Sequence, residues 1–198
     1  MKVVVGLGNP GKKYDGSPHN VGFAVIDRLC EMTSSGLRRS LRFKARMGDV
    51  SLAGERVLLV KPQTYMNRSG DTVGAILRYR KLSTDDLIVV LDDADLAFCR
   101  LRIRGEGSSG GHRGLESIIA AVGSVNFARI KIGIGRGMGK GSGLIEHVLR
   151  PFGKDEAETV KSCIDRAASA VETVLESSIS EAMNRFNGPE PVESVQID

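Results

Sequence analysis

The sequence predicts an α/β domain with a mixed, mostly parallel central β-sheet flanked by helices. Short apolar runs at residues 2–7, 87–91 and 127–134 have the length and β-branched content of buried strands. Segments with apolar residues at helical spacing alternate with them, as in parallel strands joined by crossover helices. Two further runs, at 42–47 and 56–61, are joined by a connection too short for a crossover, so the sheet is mixed rather than purely parallel.

Taken in order, residues 2–7 form a first strand that ends in glycines, and residues 8–18 break the chain with three Gly and two Pro. Val21, Phe23, Ala24, Ile26 and Leu29 then give residues 20–32 a helical apolar stripe. An antiparallel pair at 42–47 and 56–61, a loop at 62–70 and a helix at 73–82 follow. The strand at 87–91 runs into the acidic cluster Asp92-Asp93-Ala94-Asp95. Residues 100–104 alternate Arg with Leu and Ile, so a period of two puts Arg100, Arg102 and Arg104 on one strand face. A glycine-rich turn at 105–111, a helix at 114–122, a buried strand at 127–134 and a long amphipathic helix at 155–175 complete the domain. Residues 1–188 form that domain, and residues 189–198 read as a flexible tail.

The 198 residues are 41% hydrophobic and 26% charged, a composition that excludes a disordered chain, a collagen or a coiled coil. Residues 1–140 hold 23 Lys and Arg against 13 Asp and Glu, whereas residues 141–198 hold 5 against 11. A basic body of this kind suits a polyanionic ligand. No apolar run approaches the roughly 18 residues of a membrane helix, and Met1-Lys2 leads straight into Val3-Val4-Val5, so a cytoplasmic protein is expected. Cys30, Cys99 and Cys163 are odd in number and far apart, which predicts buried thiols rather than disulfides.

Gly6-Leu7-Gly8-Asn9-Pro10-Gly11 matches a dinucleotide-binding fingerprint, but the seven residues after it do not open a helix and no acidic residue closes a second strand at the required distance. A nicotinamide or flavin site is therefore not expected. Glycines at every second position from Gly133 to Gly143 lack Walker spacing and read as a mobile loop. His19, His112 and His147 show no metal-ligand spacing. His19, however, sits at a loop-to-helix junction and Asp92 at the carboxyl end of a buried strand, where active sites of α/β sheets collect. A carboxylate on one ring nitrogen would raise the basicity of the other, the arrangement that deprotonates water.

Several blocks resemble the bacterial-type peptidyl-tRNA hydrolase family. They are Gly6 to Gly11 with Tyr14 and His19-Asn20-Val21-Gly22-Phe23; Lys61-Pro62-Gln63-Thr64-Tyr65-Met66-Asn67-Arg68-Ser69-Gly70; Asp92-Asp93-Ala94-Asp95-Leu96; Gly110-Gly111-His112-Arg113-Gly114-Leu115; Gly133-Ile134-Gly135-Arg136; Val148-Leu149-Arg150-Pro151-Phe152; and Ala182-Met183-Asn184-Arg185-Phe186-Asn187-Gly188. They follow the family order over residues 1–188.

The resemblance implies a monomeric enzyme, without metal or organic cofactor, that hydrolyses the ester between a peptide and the 3′ ribose of tRNA. It implies His19 as the general base, Asp92 as the group that orients it, and Asn9 as the sensor of the blocked N-terminus. Tyr14, Tyr65, Met66, Asn67 and Arg113 would line the site for the tRNA end and the peptide. Arg100, Arg102, Arg104, Arg129 and Lys131 would then hold tRNA phosphates. The chain departs from the family pattern at Arg113, where Asn is usual, at Pro18, where Arg is common, and at Ala97-Phe98-Cys99, where a Pro-x-Gly turn is usual. Relatives that bind RNA on the same fold without hydrolysis supply the alternative reading. Joint retention of Asn9, His19, Asn67 and Asp92 favours the enzyme.

Overall fold

A computed structural model of the chain describes residues 1–135, 148, 149, 151–153 and 155–188. The elements are β1 (Lys2–Gly6), α1 (Val21–Met32), β2 (Arg38–Ser40), β3 (Ala45–Leu52), β4 (Glu55–Pro62), α2 (Ser69–Arg80), β5 (Leu87–Asp93), β6 (Leu101–Glu106), α3 (Arg113–Val122), β7 (Asn126–Gly133), α4 (Ala157–Glu176) and α5 (Ile179–Phe186). The strands form one sheet in the order β2-β3-β4-β1-β5-β7-β6. Its centre, β4-β1-β5-β7, is parallel, and antiparallel strands close both sides. The fold is the mixed, mostly parallel α/β architecture that the strand and helix alternation predicts.

Alternate residues of the central strands feed two cores. Val4, Leu59 and Val90 pack with α1, α4 and α5 on one face, while Val3, Val5, Leu58 and Val89 pack with α2 and α3 on the other. Burial on both faces is why β1 and β5 read as unbroken apolar runs. The glycine motif after β1 serves packing. A Cβ on Gly6 would lie 2.1 Å from the Gly22 carbonyl oxygen, and one on Gly22 would lie 2.5 Å from both the Leu7 nitrogen and the Val90 oxygen. A Cβ on Gly8 would meet the Phe23 ring at 2.8 Å. These glycines let the first turn of α1 touch the ends of β1 and β5.

Two element starts differ by three or more residues from the sequence expectation. β3 starts at Ala45 rather than at 42, because Lys44 takes a left-handed φ of 48° that ends the preceding turn. α2 begins at Ser69, inside the stretch read as loop. The short strand β2 and the helix α5 were not expected. Ser178 caps α5 by accepting from the Glu181 N–H at 3.1 Å. Asn187, just beyond it, accepts from the Ile103 N–H at 2.6 Å and donates to the Ile103 carbonyl at 3.1 Å, which fastens the edge strand β6. Cys30, Cys99 and Cys163 are buried free thiols. Gly137, Gly139, Gly141 and Gly143 of the predicted mobile loop, His147 and the tail at 189–198 lie outside the described residues.

Candidate active site

The carboxyl ends of β1 and β5 open into a cleft of about 660 Å³. β5 carries Asp92 to its floor, where the side chain is buried. A short turn of 3-10 helix at Pro18–Asn20, continuous with α1, delivers His19. His19 Nδ1 donates to both Asp92 oxygens at 3.0 Å, which leaves Nε2 without a described partner in the cleft. Burial pulls the His19 pKa down, but the charge of Asp92 and its hydrogen bond outweigh this and leave it above the usual 6.5. Burial likewise pushes the Asp92 carboxyl up, and the pull of His112 and His19, with their hydrogen bonds, holds it well below the usual carboxylate range.

His112, to which the sequence assigned no role, is the third member. It is the N-cap of α3, and its Nδ1 accepts from the Leu115 N–H at 3.2 Å. The proton must then sit on Nε2, which donates to Asp92 Oδ1 at 3.0 Å. The donor atoms of His19, Asp92 and His112 lie within 4.8 Å of one another, a grouping that could hold a metal. Both imidazole–carboxylate contacts are at hydrogen-bond distance, and His112 is already committed through both nitrogens. A metal at about 2.0–2.2 Å from each atom would have to break those bonds. The residues present fit a hydrogen-bonded triad better.

Asn9 is held rigidly beside them. Asn20 accepts from the Asn9 N–H at 2.8 Å and donates to the Asn9 carbonyl at 3.0 Å, and Asn9 Oδ1 accepts from the Met66 N–H at 2.9 Å. Its oxygen occupied, Asn9 lines the cleft with no bond at its Nδ2 donor group among the described residues. Asn20 is thus a positioning residue, legible beforehand only through its place in the His19-Asn20 block. Met66 is buried against Gly114, where a Cβ would lie 2.5 Å from Sδ, so the start of α3 closes on the turn that carries Asn67.

The structure brings Asn9, Tyr14, His19, Tyr65, Met66, Asn67, Asp92, Arg113 and Lys131 to one cleft. Tyr65 and Arg113 are exposed at its mouth. Lys131 donates to Asp93 Oδ2 at 2.9 Å. Arg100, Arg102 and Arg104 are exposed outside the cleft, with Arg102 directly across from Lys131 on β7. Arg129 departs from the phosphate contact expected of it. It is 1% exposed, and its guanidinium nitrogens donate to the carbonyls of Gly107, Ser108, Val125 and Phe127. Grouping it with Lys131 as a basic strand residue could not show that the turn after β6 folds over it.

Among the described residues no helix is long and apolar enough to cross a membrane. A family model described as peptidyl-tRNA hydrolase matches residues 3–194. The chain is 45% identical over 188 residues to a peptidyl-tRNA hydrolase of Caldanaerobacter subterraneus subsp. tengcongensis, covering 95% of this chain and all of the relative. It is 44% identical to one from Clostridium botulinum, over 95% of this chain and 96% of that one. The crystal structure of peptidyl-tRNA hydrolase from Acinetobacter baumannii superposes with a TM-score of 0.88 at 31% identity, over 95% of each chain. A cleft in which two imidazoles share one buried carboxylate, on this sheet and with these relatives, leads to one assignment: the chain belongs to the peptidyl-tRNA hydrolase family.

Proposed function

We propose that the protein hydrolyses the ester between a peptide and the 3′ ribose of tRNA, with His19 Nε2 as the base. The observation that carries this reading is that, among the described residues, His19 Nε2 is the one imidazole nitrogen in the cleft without a partner, opposite a bond to a buried carboxylate. No serine or cysteine hydrogen-bonds His19 among the described residues, which supports water as the nucleophile. His19 takes a proton from water as the oxygen attacks the ester carbonyl, and Asp92 stabilises the imidazolium that forms. The carbonyl oxygen gains negative charge, and the Asn67 amide at the cleft wall supplies a donor that does not titrate. Collapse breaks the bond to the ribose oxygen, which takes the proton back from His19 and leaves as the 3′ hydroxyl.

Asn9 Nδ2 donates to the carbonyl that blocks the substrate's amine, Tyr14 and Tyr65 offer rings for the terminal base, and Arg113 offers a cation at the mouth. Arg100, Arg102, Arg104 and Lys131 hold RNA phosphates on the β6 and β7 side. The enzyme acts in the cytoplasm as a monomer without a metal. Single-turnover cleavage of an N-acetyl-aminoacyl-tRNA in chelator tests this, with free aminoacyl-tRNA and His19→Ala as controls. Cleavage of the blocked substrate alone, slowed by about a hundredfold or more in the variant with tRNA affinity kept, is expected. Binding without cleavage would overturn it.

A further inference from the structure

The sheet order puts charged and functional groups on successive strands, with Arg102 and Lys131 on the face opposite Lys61. From one edge to the other come Arg39 on β2, Arg46 on β3, Lys61 on β4, Asn9 after β1, Asp92 on β5, Lys131 on β7 and Arg102 on β6. Arg39 lies directly across from Arg46, and Arg46 directly across from Lys61, so three cations form a row over three adjacent strands. Like charges directly opposed in a sheet destabilise it. Lys61 is neutralised by Asp27 at 2.6 Å. Arg39 and Arg46 are exposed and have no carboxylate partner among the described residues. With Pro10 and Gln63 they line a second cavity, of about 500 Å³. Pro10 follows Asn9 in the chain, so this cavity adjoins the cleft on the side away from Lys131 and Arg102.

We propose that the Arg39–Arg46 row is an anion subsite for the peptide arm of the substrate, favouring peptides with Asp or Glu about three to five residues upstream of the ester. The inference rests on the reading above, in which Asn9 meets the first peptide unit. The two arms of the substrate leave the ester in opposite directions. The exposed arginines of β6 lie on the Asp92 side of Asn9 and take RNA; the row lies on the other side and takes peptide. Strands spaced ~4.8 Å apart put β3 about 10 Å and β2 about 14 Å from β1, a reach of about three to four residues of extended chain at ~3.3 Å each. Two exposed cations without a carboxylate partner among the described residues, forced together by register, gain that partner from an acidic ligand.

The test compares three substrates on one tRNA: N-acetyl-aminoacyl-tRNA, a peptidyl-tRNA with Asp and Glu at the third to fifth positions from the ester, and its Asn and Gln counterpart. Wild-type protein is expected to show a KM for the acidic peptide roughly fivefold to tenfold below that for the neutral one, with kcat equal. Arg39→Gln combined with Arg46→Gln is expected to equalise the two and leave N-acetyl-aminoacyl-tRNA unchanged. Equal weakening on all three substrates would assign the row to RNA, and absence of acidic preference in the wild type would leave it unengaged; either overturns the proposal. Failure of the wild type to cleave even N-acetyl-aminoacyl-tRNA would instead remove the hydrolase reading, and the subsite with it.

Discussion

His19 and His112 share one carboxylate, with ring centroids 5.3 Å apart and planes tilted by 45°. The sharing is unequal, because the Leu115 N–H occupies His112 Nδ1 and only His19 keeps a nitrogen for the cleft. Two roles of His112 can be separated on that basis. His112→Ala removes both the helix cap and a donor to Asp92, and is expected to cost about 1 kcal/mol of stability and about tenfold in turnover. His112→Asn keeps a capping oxygen but cannot reach Asp92 in the same way. Urea midpoints close to wild type with turnover still reduced would confirm the separation; full recovery of both would show that the bond to Asp92 does nothing for catalysis.

The pH profile follows from the His19 shift. With His19 as the proposed base, catalysis needs it neutral, and its pKa lies above 6.5, so log kcat/KM is expected to rise with pH through a midpoint above 6.5. Asp92→Asn removes the cause of the shift and should move that midpoint down. Stability runs the other way. A raised histidine pKa stabilises the fold fully below the unfolded value of 6.5 and loses that contribution as pH rises through the folded one. Asp92, held low, contributes above its unfolded 3.8 and loses this as pH falls through the depressed value. An unshifted kinetic midpoint in Asp92→Asn would disconnect Asp92 from the base.

Arg102 and Arg129 should behave as opposites. Arg102 is exposed, so Arg102→Ala is expected to leave stability within about 0.5 kcal/mol and lower the slope of log K against log salt for tRNA by about 1. Arg129 is buried and bonded to four carbonyls, so Arg129→Met is expected to cost about 3 kcal/mol and leave the slope alone. Salt titrations and urea melts on both variants decide this, and a reduced slope in Arg129→Met would return that residue to the interface.

Gly22→Ala places a Cβ 2.5 Å from the Leu7 nitrogen, just past β1, and from the Val90 oxygen in β5. Nothing flexible can yield there, and a loss of about 3 kcal/mol or failure to fold is expected. An alanine at Gly36, where a Cβ would meet nothing within 4 Å, provides the comparison. Equal thermal midpoints for the two variants would show that the α1 crossing is looser than its geometry.

The central strands were legible because they are buried on both faces and so are continuously apolar, as Val3-Val4-Val5 and Leu87 to Leu91 show. β2 was not, since Arg38-Arg39-Ser40 has no apolar residue and exists only by pairing with β3. α5 carried a readable signal that was not used, a Ser178 cap with Glu181 three residues on. Asp92 and His19 were legible from their places at element ends. The part of His112 was not, because it caps a helix while its partner lies 20 residues away on β5, and Arg129 looked like any other basic strand residue until the turn that covers it was in place.

The contact of Gly22 with Leu7 and Val90 also ties the catalytic groups to the most protected part of the molecule. His19 lies three residues before that contact and Asp92 two residues after it. The backbone that sets their distance therefore has no private way to open. Amide hydrogens at Leu7 and along β5 should exchange with solvent only when the whole domain unfolds, while those of the rim, at Tyr65 and Arg113, exchange through small local openings. In the proposed reaction, substrate admission is then left to the rim, while His19 and Asp92 keep their spacing.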